Sequence, residues 1–213
     1  VLGDGRGGPQ LAAVLGAAGV GRVWLSDPGN VRLHQATPGG VRPADEGQSL
    51  AAATARTITA AAPEVDTTAL PMGERPDLVV LAQDSPIEDE RREALHARGC
   101  AHLPLRLGAG FGVVGPLVMP GLTACLRCTD LHRLDRDPAW TSLAVQLAVA
   151  RRSTTACEVA LATTITGLAA LQALSFLDGE EPATIDGTLE LHLPSWRVRR
   201  RSWPAHPDCT CGS

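Results

Sequence analysis

The sequence predicts an α/β fold: a doubly wound, mostly parallel sheet with an antiparallel C-terminal extension. Three observations predict it. Short apolar runs alternate with stretches of helical length through the first half. A glycine-rich turn joins the first apolar run to the first helix. From Gly108 the texture changes to β-like segments, a long apolar helix and two closing strands. At 213 residues the chain suits one compact domain, with residues 1–107 as the alternating half and 108–213 as the extension.

Taken in order, Val1-Leu2 ends a strand and Gly3 to Gly8 forms a turn, with a helix over Leu11 to Ala18 stopped by Gly19 and Gly21. Val23-Trp24-Leu25 is a short buried strand with a polar tip at Ser26-Asp27. Pro28 to Pro43 is loop, and Asp45 is placed to cap an Ala-rich helix from Gln48 to Ala62, which Pro63 stops. Asp77 to Ala82 is the clearest strand; a charged helix runs to Arg98, and His102 to Leu107 is strand again. Gly112 to Pro120 reads as β, Cys125 to Arg152 as polar, and Cys157 to Leu177 as a long helix. Thr184 to His192 and Trp196 to Ser202 close the sheet before a Pro/His/Cys-rich tail. The chain opens at Val1 inside its first strand, so a piece of a longer protein is expected.

Composition excludes several classes. A hydrophobic fraction of 44% with 20% charged residues rules out a disordered chain. A net charge of −4 gives no reason to expect nucleic acid as partner. All 19 cations are Arg, so no Schiff-base or phosphate-gripping lysine is available, and Tyr is absent. The apolar stretch ending at Leu177 carries Glu158 and Gln172, which fits a core helix better than a membrane span. With no signal peptide at its start, a cytoplasmic location is expected.

Two motifs carry chemistry. Gly3-x-Gly5-x-x-Gly8 lies between strand and helix, where backbone N–H groups approach a phosphate at a helix N-terminus. Asp27 ends the next strand 24 residues after Gly3, near the spacing at which a carboxylate meets a ribose. Together they predict a Rossmann-like nucleotide site. Asp84 follows the strongest strand at its carboxyl end, where a carboxylate can hold Mg²⁺ on a triphosphate. The second motif is Cys125-x-x-Cys128 with Cys209-x-Cys211, two close pairs about 80 residues apart. Such pairs suit a tetrahedral, closed, structural zinc that staples the tail to the body. His206 is near enough to replace a cysteine. Cys100 reads as core and Cys157 as a helix-start thiol. Arg197, Arg199 and Arg201 alternate on one strand face, with Arg200 on the other and Trp196 and Trp203 flanking them. That stripe reads as a solvated face, or as a surface for an acidic peptide or nucleic acid.

The order of these features resembles the ThiF/MoeB family of ubiquitin-activating-type adenylyltransferases. The matching stretches are Gly3 to Gly8, Ser26-Asp27, Asn30 to Gln35, Asp45 to Gln48, Leu81 to Asp84, Val114 to Pro120 and the two cysteine pairs. The resemblance implies an ATP site at Gly3, Gly5, Gly8, Asp27, Arg32, Gln35 and Gln48, with catalytic Asp84 holding Mg²⁺. It also implies a structural zinc, and adenylation of a C-terminal carboxylate on a peptide or small protein. Two positions depart from the family: His34 stands where it has an arginine, and Gln48 where it has a lysine. Cations there stabilise the developing phosphate charge. A second branch of the superfamily therefore competes: ThiF-like scaffolds of azole- and azoline-forming pathways, which dock a precursor peptide and a cyclodehydratase partner. An NAD-dependent oxidoreductase is disfavoured, since no substrate domain accompanies the turn. A homodimer through the apolar helices and the segment Gly112 to Pro120 is expected.

Overall fold

A computed structural model describes residues 1–83, 87–150 and 157–212. Its five strands are β1 (Val79–Leu81), β2 (His102–Gly108), β3 (Phe111–Val114), β4 (Gly187–His192) and β5 (Val198–Ser202), arranged in the order β1-β2-β3-β4-β5. The six helices are α1 (Gly7–Ala17), α2 (Leu50–Ala61), α3 (Asp89–Ala97), α4 (Leu126–Arg136), α5 (Trp140–Ala150) and α6 (Val159–Leu177). These counts refer to the described residues.

The sheet is mixed rather than mostly parallel. β1 pairs β2 in parallel, and each later pairing is antiparallel. The parallel side continues through single bridges instead of full strands: Leu2 lies between Ser26 and Leu81, and Arg22 pairs with Asp66. Residues 66, 22–26, 2, β1 and β2 thus follow one another across the sheet in the doubly wound order expected of a dinucleotide-binding half. The strands there are short because Gly3, Pro28 and Pro63 sit within a few residues of the pairing. At β2 the sheet changes direction through a two-residue hairpin loop, Ala109-Gly110, with Gly110 at φ +74°.

α6 is the spine of the larger core. Leu161, Ala162, Ile165, Ala169, Ala170 and Ala173 are buried against α1 and the β2–β3 pair. Gly112 is required there, because a Cβ would stand 2.8 Å from Ile165 Cδ1. The helix is 19 residues long with a mean hydropathy of 1.6; its buried face packs in the core, although Glu158 stands outside it as an exposed N-cap and Gln172 is half-buried.

Several boundaries differ from expectation. α1 starts within the glycine turn at Gly7 instead of Leu11. Ser49, not Asp45, caps α2, its Oγ accepting the Ala52 N–H at 3.4 Å. The stretch read only as polar after Cys125 forms α4 and α5, separated at Pro138. In the segment Gly112 to Pro120, Val114, Leu117 and Val118 are fully buried between β2, β4 and the loop before β4, while Val113, Met119 and Pro120 are half-buried.

Candidate functional site

The glycine turn stands at the switch point of the sheet, where the chain leaves Leu2 between Ser26 and Leu81. Leu2 N donates to Val80 O, Ala82 N to Leu2 O, and Gly5 N to Ala82 O at 2.8–2.9 Å. Gly3, at φ +114°, crosses the end of β1 so closely that a Cβ would lie 2.8 Å from Gln83 N. The close helix-to-sheet approach falls on Gly7, whose Cβ would meet Leu105 Cδ2 at 2.9 Å, whereas Gly8 has only ordinary contacts. Gly8 N donates to Gly5 O at 3.1 Å. The N–H groups of Gly5 and Gly8 therefore face carbonyls of the chain itself.

The residues around the turn are also tied inward. Gln35, 1% exposed, donates from Nε2 to Asp4 O at 2.6 Å and accepts Arg32 N–H at Oε1 at 2.7 Å. Arg6 reaches across from the turn, donating from Nε to His34 O and from Nη1 to Cys157 O at 2.5 Å. Burial, with the Arg32 and Arg6 guanidiniums, pushes His34 below its ordinary value, so it is neutral at pH 7. Asp27 sits half-buried after Ser26, one oxygen accepting Gly29 N–H at 2.7 Å. Arg32 is exposed. Asp84 lies outside the described residues, just beyond Gln83.

Sequence reasoning missed Arg56. Its Nη2 donates to Gln48 Oε1 at 2.5 Å and to Asp45 Oδ1 at 3.2 Å. The backbone N–H and guanidinium of Arg42, with Arg56, hold the Asp45 carboxyl below the usual range. Arg56 is the single charged residue of α2, which was the available signal.

The four tail cysteines do come together. Cys125 caps α4, Cys128 lies in its first turn, and Cys209 and Cys211 approach from the tail. Sulfur separations are 3.8 Å for Cys125–Cys128 and 3.6 Å for both Cys125–Cys209 and Cys128–Cys211. Metal–thiolate bonds of about 2.3 Å in a tetrahedron put sulfurs about 3.8 Å apart, so the set fits such an ion. Burial pushes the Cys125 thiol up to about 11 and the Cys209 thiol upward as well. A divalent cation at the four sulfurs would reverse that shift for Cys125 and Cys209.

Beside the thiols, His132, Asp135 and His206 form a second cluster. His206 Nδ1 accepts Asp208 N–H at 3.1 Å, so its proton resides on Nε2, which donates to Asp135 at 2.9 Å. A metal on Nε2 would demand an imidazolate. This cluster is a latch rather than a ligand set. Trp203, 2% exposed, completes the tail's seat, donating from Nε1 to Thr188 Oγ1 at 2.9 Å. Trp196 does not join it and is 73% exposed. Cys100 is core, as expected.

A family model described as the ThiF family matches residues 1–212. The chain belongs to the ThiF family. Similar solved structures include E. coli MccB with ATP, at a TM-score of 0.79 and 17% identity, covering 100% of this chain and 65% of that one. E. coli MccB with AMPCPP and selenomethionine MccA gives 0.77 and 15%, covering 100% and 66%. PaaA gives 0.71 and 18%, covering 94% and 71%. This ThiF-family chain thus spans about two thirds of the MccB length. No curated protein matches it.

Proposed function

We propose that this chain is a peptide-docking member of the ThiF family that presents a precursor peptide to a partner cyclodehydratase and does not itself adenylate. The observation that carries this reading is the state of the cleft. Gly5 and Gly8 spend their N–H groups on the chain, Arg6 is bonded to two carbonyls, and His34 is neutral. Phosphoryl chemistry needs preorganised donors and cations aimed at the developing charge. Here they are aimed at the protein. MccB, solved with MccA, supports a peptide as ligand on this fold. In this reading Cys125, Cys128, Cys209 and Cys211 hold a structural zinc, which cross-links α4 to the tail and has no open position. Reduced thiols of this kind belong in the cytoplasm. A homodimer would use the outward side of α6, where Leu171 is 63% exposed.

A second reading keeps the family's ATP-dependent adenylyltransferase, with Asp84 on Mg²⁺. Asp27 favours it: the carboxylate stands at the strand tip of a doubly wound order, as ribose recognition requires. ATP–pyrophosphate exchange on the chain in its full natural length separates the two. We expect background exchange. Exchange that Asp84→Asn abolishes overturns the docking reading in favour of the enzyme.

A further inference from the structure

Of the arginine stripe noted in the sequence, β5 carries Arg199 and Arg201 on a sheet face that the cleft and the cysteine clasp do not use, while Arg197 precedes the strand. In the β4–β5 register Glu190 pairs with Arg199 and Thr188 with Arg201, while β3 places Val113 opposite Glu190 and Phe111 opposite His192. These side chains share one face. The opposite face carries Gly112 and Leu191 toward α6. Over the exposed face α4 and α5 project Arg133, Arg136 and Trp140, enclosing a cleft of about 390 Å³.

Positive charge on this face exceeds what the chain neutralises. Three guanidiniums, of Arg133, Arg136 and Arg201, lie within 5.6 Å of the Trp203 ring centroid. Arg133 pairs with Asp130 at 3.1 Å and Arg201 with Glu190 at 3.2 Å. Glu190 is further shared with His192 at 3.7 Å, and Asp137 is the other carboxylate lining the cleft. Arg136, Arg197 and Arg199 have no ion-pair partner among the described residues. β5 is also the last strand of the sheet, exposed along its whole length, so its outer backbone groups are free to pair.

We propose that the outer edge of β5, with this face beside it, docks an extended peptide bearing acidic residues at alternate positions. This deepens the peptide-docking reading above and rests on it. A strand added to β5 would set every second side chain on the arginine face, about 6.7 Å apart, the spacing of Arg199 and Arg201. Cross-strand pairs of opposite charge then form directly. An edge strand favours a peptide over nucleic acid, which has no backbone amide to add to the ladder.

The test is fluorescence anisotropy of the whole chain with a short labelled peptide in which glutamate alternates with valine. A glutamine-for-glutamate peptide and a single-stranded oligonucleotide serve as competitors. The glutamate peptide should bind, weaken with salt and lose about tenfold or more in affinity in Arg136→Gln/Arg199→Gln. Arg200→Gln, on the other face, should bind as wild type. Both substituted positions are exposed, and circular dichroism checks that the fold persists. Equal binding by the double variant overturns the groove while leaving peptide docking in place. Failure of the glutamate peptide to bind, or competition by the glutamine peptide or by the oligonucleotide at equal or higher affinity, also overturns it. Pyrophosphate exchange judges the underlying reading separately.

Discussion

The glycine cleft and the cysteine clasp are both assembled from segments distant in sequence, yet their polar atoms are left in opposite states. In the cleft, Gly5 and Gly8 N–H, Gln35 and Arg6 have found partners within the chain. In the clasp, four sulfurs face chiefly one another at 3.6–3.8 Å, with burial raising the cost of ionising Cys125 and Cys209. A site whose donors are satisfied is stable without a ligand. A site of crowded thiols gains stability from an ion that makes them thiolates, which is what the proposed zinc would do. The family resemblance predicts ligands at both, and the internal bonding separates them.

The largest expected effect breaks the clasp. Cys128→Ser should remove the metal and cost on the order of 4 kcal/mol or more, a drop of about 10 °C or more in Tm. Cys100→Ser, a buried cysteine away from the set, should retain one metal per chain and cost about 1 kcal/mol. Metal analysis with thermal unfolding checks both. Equal losses for the two variants would mean that the sulfurs are only packed together.

Next comes the latch. Asp135→Ala leaves the buried His206 Nε2–H without its acceptor, which should cost about 1–3 kcal/mol while metal content stays unchanged. A loss of metal with Asp135→Ala would show that the second cluster is part of the ion's coordination after all. In the cleft, Gln35→Ala strips Asp4 O and Arg32 N–H of their partner. It should cost a similar 1–3 kcal/mol by urea unfolding, because Gln35 braces the turn whether or not a nucleotide binds.

How much of this was readable beforehand depends on the range of the contacts. The cysteine set was legible from spacing alone, because each pair is local and one tetrahedron needs two such pairs. The latch was not read, although Cys125, Cys128, His132 and Asp135 recur at intervals of three and four, a single stripe along α4. That stretch looked merely polar, since only Leu126, Cys128 and Thr129 of α4 are buried and His132 is half-buried. The doubly wound order was legible; the shortness of its strands was not, since Leu2 and Ser26 keep single bridges where a longer apolar run would have made a ladder. Arg6 shows the limit most clearly. No pattern in the turn says that its guanidinium will reach His34 O and Cys157 O, residues 28 and 151 positions away.

The smallest effect on stability is also the sharpest probe of the comparison. Arg6→Gln removes charge-assisted bonds to two carbonyls, the part-buried contacts described above, and should cost only about 1 kcal/mol in thermal unfolding. Its effect on ATP depends on what the guanidinium is for. If Arg6 is an internal strut, calorimetry with ATP and Mg²⁺ should give no heat in wild type or variant, because the cleft was closed to phosphate before the substitution. If Arg6 instead swings from its carbonyls to the phosphates, wild type should bind and the variant should lose tenfold or more, since a cation beside a phosphate contributes about 1.5–3 kcal/mol. We expect the first result. Under the second, the bonds seen here describe a resting cleft, and the contrast between satisfied cleft and unsatisfied clasp collapses into a difference between two ligand sites.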